Sequence, residues 1–72
     1  MTERARLDEP SGRVVEFDVA AGLGVIETAA GERVPFHCIE IADGSREIAV
    51  GTAVTFAWLR KLGRREAAAI RP

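Results

Sequence analysis

The sequence predicts an all-β domain of five short antiparallel strands closed into a barrel, and three observations carry that expectation. Glycines punctuate the chain at short intervals, at Gly22, Gly31, Gly44, Gly51 and Gly63. The stretches between them are short, apolar and rich in β-branched residues. One of them, residues 52–60, alternates Val54, Phe56 and Trp58 with Thr55, Ala57 and Leu59. Short period-two runs between turn residues are the pattern of sandwiches and small barrels.

The elements follow in order. Residues 1–11 lack periodicity and run into Pro10-Ser11-Gly12, which reads as a mobile tail closed by a turn; residues 12–72 form the domain. A first strand covers residues 13–18 and a second residues 23–28, after the turn at Ala20-Ala21-Gly22. A third, residues 33–38, follows a tight turn at Ala29-Ala30-Gly31-Glu32. Residues 39–50 contain Asp43-Gly44-Ser45 and read as a loop with one helical turn. The fourth strand is residues 52–60, and residues 66–71 form the fifth. The run Ala67-Ala68-Ala69 favours helix by propensity, but so short a segment after Gly63 cannot nucleate one alone. Period-two alternation assigns Val14, Ile26, Val34, Phe36, Val54, Phe56 and Ile70 to the core, and Trp58 to the core or the barrel end, with base stacking as the lesser alternative for Trp58.

Five strands with both edges open would invite aggregation in so small a protein. Closure as a Greek-key barrel removes the edges and gives the OB architecture, with an SH3-like barrel as the alternative from pattern alone. With 72 residues the domain is near the lower size limit for folding without a staple. A single Cys excludes an intramolecular disulfide and leaves no ligand set for a structural zinc. The fold therefore rests on one apolar core. The opening residues alternate charges (Glu3, Arg4, Arg6, Asp8, Glu9) and do not read as a signal peptide, and no apolar run is long enough to span a bilayer. A cytoplasmic protein with a free thiol at Cys38 and no membrane partner is expected. The net charge of −1 argues against a purely electrostatic nucleic-acid binder, without excluding one that relies on stacking.

Five segments, in register from Gly12 to Pro72, resemble the cold-shock domain family. Gly12-Arg13-Val14-Val15-Glu16-Phe17-Asp18 is similar to the family's Gly-x-Val-x-Trp-Phe-Asn, and Gly22-Leu23-Gly24-Val25-Ile26 to its Gly-Phe-Gly-Phe-Ile. Val34-Pro35-Phe36-His37-Cys38 resembles Val-Phe-Val-His-Phe, and residues 50–56 and 66–70 resemble the family's Glu-Gly-x-x-Val-x-Phe and Gln-Ala-x-x-Val. The resemblance implies a barrel that binds single-stranded RNA or DNA, with outward aromatics stacking on bases and basic side chains meeting phosphates. At those positions Glu16 replaces the family Trp, Leu23 and Val25 replace two Phe, and Pro35 and Cys38 replace two more; Phe17 and His37 remain. Each lost platform is worth roughly 1–3 kcal/mol per base, so reduced affinity is expected.

The expected base-facing patch is Phe17, Leu23, Val25 and His37. Phosphate contacts are expected from Arg13 and from the hairpin residues Arg60, Lys61, Arg64 and Arg65. A solvated hairpin tip is the plain alternative for that basic cluster. Gly22 and Gly24 are more simply explained by barrel geometry than by binding. No constellation of nucleophile and base or of metal ligands accompanies His37, so neither an enzyme nor a cofactor is expected. A rival reading takes Leu23, Val25, Pro35 and Cys38 as an apolar protein-binding or homodimer face on a barrel that has lost its strand.

Overall fold

In a computed structural model, residues 10–72 are described and form an all-β fold of five antiparallel strands. These are β1 (Ser11–Asp18), β2 (Leu23–Thr28), β3 (Arg33–His37), β4 (Ala53–Lys61) and β5 (Arg64–Arg71), with a single 3-10 turn at Cys38–Glu40. Their spatial order is β3-β2-β1-β4-β5. Three consecutive strands and a fourth that returns beside the first make a Greek key. The two outer strands, β3 and β5, pack against each other. The chain leaving the 3-10 turn helps to join them: Ile41 forms a parallel bridge with Ile70, and Ala42 N–H donates to the Ile70 carbonyl at 2.8 Å.

Five of the ten strand ends differ from the sequence expectation by one or two residues, and β2 matches it at both. β1 begins at Ser11, so the last residue of the expected tail belongs to the sheet, and Pro10 before it accepts a hydrogen bond from Phe56 N–H. Residues 1–9 of that tail lie outside the described residues. Cys38 leaves β3 and opens the 3-10 turn, while β5 starts at Arg64 directly after a two-residue loop. That loop, Leu62-Gly63, has φ of +50° and +80°. Two left-handed central residues are what a tight hairpin needs to match strand twist, a conformation that suits Gly63 and strains Leu62.

All seven expected core residues are buried, joined by Ile41 and Ala67. Ala67 escaped the period-two reading because β5 carries a bulge. Thr55 pairs with Arg71 and Ala57 with Ala68, so Phe56 faces two residues, Ala69 and Ile70. Ala69 takes the left-handed conformation (φ +51°) as the extra residue, which puts Ala67 and Ile70, three apart, on the same inner side. Trp58 continues the inward series only to the barrel's end. Its ring meets Phe56 edge-on at 5.2 Å yet remains 39% exposed. Among the described residues no helix is long and apolar enough to cross a membrane.

Candidate nucleic-acid interface

Side chains directly opposite each other on paired strands share a face, so the pairings sort the first three strands into rows. Val14–Ile26–Val34 is an inner row, buried throughout. Strict alternation along β1 would next turn Glu16 inward and Phe17 outward. A bulge at Val15 prevents this: Val14 pairs with Ile26 but Glu16 with Val25. Glu16–Val25–Pro35 and Asp18–Leu23–His37 are thereby outer rows, and Phe17–Gly24–Phe36 between them is an inner one.

In that inner row Gly24 is a gap that two rings share. Phe17 and Phe36 stack across it with centroids 6.0 Å apart and planes 18° from parallel. A Cβ on Gly24 would lie 2.4 Å from Phe36 Cζ and 2.9 Å from Phe17 Cδ1, so glycine here is a packing requirement.

The outer rows open onto a groove of about 500 Å³, which also takes in Arg64 and Glu66 of β5. Leu23 is half exposed at its centre. Pro35 is tolerated because β3 is an outer strand, where a missing N–H need not break a ladder. His37 Nδ1 accepts a hydrogen bond from Ile39 N–H at 3.3 Å, capping the 3-10 turn, which leaves Nε2 as the donor of the neutral ring. Three lining residues carry carboxylates (Glu16, Asp18, Glu66) against the one guanidinium of Arg64. Arg33 offsets part of this by pairing with Glu16 at 2.5 Å, though both side chains are more than half exposed and the pair contributes little stability. Among the described residues no group of three or more His, Cys, Asp or Glu side chains could hold a metal ion.

The sequence matches the model of the family described as 'Cold-shock' DNA-binding domain over residues 10–72. The chain belongs to the cold-shock domain family. No curated protein matches it. The family is one of nucleic-acid-binding domains, not of enzymes, and the five-stranded Greek key agrees with its fold.

Within this cold-shock domain the expected site residues fall into three places. Leu23, Val25, His37 and Arg64 line the groove together. Phe17 lines it too, but belongs to the inner row and packs half-buried against the core. Arg60 and Arg65 lie on the β4–β5 hairpin outside the groove lining, and Lys61 belongs to the same hairpin. Arg65 is held in two contacts, an ion pair with Glu32 at 2.6 Å and a position over the Trp58 ring, 4.0 Å from its centroid. Arg13 is separate: it lies at the far end of β1, donates to the Gly51 carbonyl and lines another depression with Val15 and Thr28.

The acidic wall of the groove joins Glu16 and Asp18 of β1 to Glu66 of β5. Asp18 stands in the outer row Asp18–Leu23–His37 because of the Val15 bulge, and Glu66 reaches the groove from a strand remote in sequence. Neither placement has a local sequence signal. Cys38 also departs from the expected apolar face: it packs against the core, and its Sγ would lie 2.9 Å from a Cβ on Gly22.

Proposed function

We propose that this cold-shock domain binds single-stranded RNA or DNA with reduced affinity through the groove of Leu23, Val25 and His37, with Phe17 at its inner side and Arg64 at its rim. The observation that carries the reading is this groove on the outer rows of β1–β3, in a chain of a nucleic-acid-binding family. Leu23 and Val25 offer apolar contact to a base, and His37 can stack and donate from Nε2. Affinity is reduced for two reasons. The outer rows hold no flat aromatic ring other than the imidazole, and three carboxylates face the path of a phosphate chain.

The test is a titration of labelled oligo-pyrimidine and mixed single strands at low and moderate salt, followed through backbone amide shifts. Shifts centred on Leu23, Val25 and His37 that weaken with salt are expected. The salt slope should be shallow, reflecting one or two phosphate contacts. Absence of shifts at millimolar strand would overturn the proposal. If the sedimentation coefficient then rises with protein concentration, the domain is instead a self-associating module. That second reading is weakened by the inward packing of Cys38, which removes one of its four apolar residues.

A further inference from the structure

The charge of the molecule is divided. The groove wall is acidic, whereas Arg60, Lys61, Arg64 and Arg65 concentrate four positive charges at the β4–β5 hairpin. Beside them stands Trp58, the one tryptophan of the chain. It is 39% exposed, and its cross-strand partner Ala67 is too small to cover an indole. Phe56 supports the ring edge-on from the core. Arg65 lies over the indole at 4.0 Å and is tethered from the β2–β3 turn by Glu32. The result is a guanidinium held against an aromatic ring, on a hairpin whose other charges attract phosphate.

We infer that Trp58 and Arg65 form a second base-stacking platform, which takes an unstacked base of a single strand at the β4–β5 end while Arg60 and Arg64 meet the adjoining phosphates. This rests on the proposed strand binding and extends it to a site off the β1–β3 face. Bases stack on guanidinium planes as well as on aromatic rings, and stacking is tolerant of sequence because every base has a π-face. The platform thus supplies what the groove lacks. Arg64, next to Arg65 in sequence, lines the groove from the opposite face of β5, so a strand that engages both places passes over the hairpin end.

The experiment measures two signals on the full chain: anisotropy of a labelled oligo-dT strand, and emission of Trp58. Binding with quenched Trp58 emission is expected, and the same strand annealed to its complement should leave the emission unchanged. Arg65→Lys keeps the charge and removes the plane; it should weaken binding by about fivefold or more at an unaltered salt slope. Trp58→Leu should do the same, with circular dichroism confirming its fold. If the strand binds but Trp58 emission is unchanged and Arg65→Lys binds like the native chain, the platform is overturned and the groove reading stands. Quenching by duplex equal to that by single strand would also overturn it. No anisotropy change with any strand overturns both.

Discussion

The two faces of β1–β3 answer to different demands. The inner rows Val14–Ile26–Val34 and Phe17–Gly24–Phe36 interlock: Phe36 is buried because Gly24 gives its ring room, and Phe17 completes the stack. The outer rows Glu16–Val25–Pro35 and Asp18–Leu23–His37 meet solvent, and substitution there costs the fold little. A cold-shock domain can therefore keep its barrel while its binding face changes. The difference separates what holds the barrel together, which is buried, from what the proposed binding would use, which is exposed.

The largest effects should come from breaking an inner row. Phe36→Ala should cost about 3–5 kcal/mol, whereas Leu23→Ala in the outer row should stay within about 0.5 kcal/mol. Urea unfolding of the two variants measures the contrast, and equal losses would show that the faces are not energetically distinct. The next effect sharpens the outer face. Replacing Glu16 by Trp and Pro35 by Phe restores two stacking platforms and removes one carboxylate, so strand affinity should rise at least about tenfold in an anisotropy titration.

The smallest effect lies away from both faces. The Asp43 carboxylate accepts a hydrogen bond from Ser45 N–H at 2.8 Å, and chiefly that bond, helped by the Ser45 side chain, holds its pKa below the ordinary 3.8. Because the folded pKa is depressed, the stabilisation is fully present above pH 3.8 and fades as pH falls through the folded value. A carboxyl chemical-shift titration should place the midpoint of Asp43 below 3.8, and Ser45→Ala should move it upward by a smaller step.

Period-two alternation revealed the strands and seven of the nine buried core residues, because burial dictates residue type there. It failed where the backbone breaks its own period. The inward turn of Phe17 and the burial of Ala67 both follow from bulges, at Val15 and Ala69, and neither residue bears a mark in its sequence. Of the site, the motif positions led to Leu23, Val25 and His37. The acidic wall and the Glu32–Arg65–Trp58 arrangement depend on contacts between distant strands, which no local pattern encodes. Ile41 was missed for a related reason: it belongs to a loop and is buried only because the loop folds back on β5.

The Val15 bulge has a consequence for how this chain can change in length. Insertions are ordinarily harmless in loops and disruptive in strands, but here the bulge absorbs one extra residue without turning the strand over. Deleting Val15 would leave Glu16 outward and Phe17 inward by plain alternation, whereas ironing out the bulge with Val15 kept would turn Glu16 toward the core and Phe17 toward solvent. The domain is thus tolerant of substitution on its outer rows and of losing the extra residue, and intolerant of a one-residue register slip in β1.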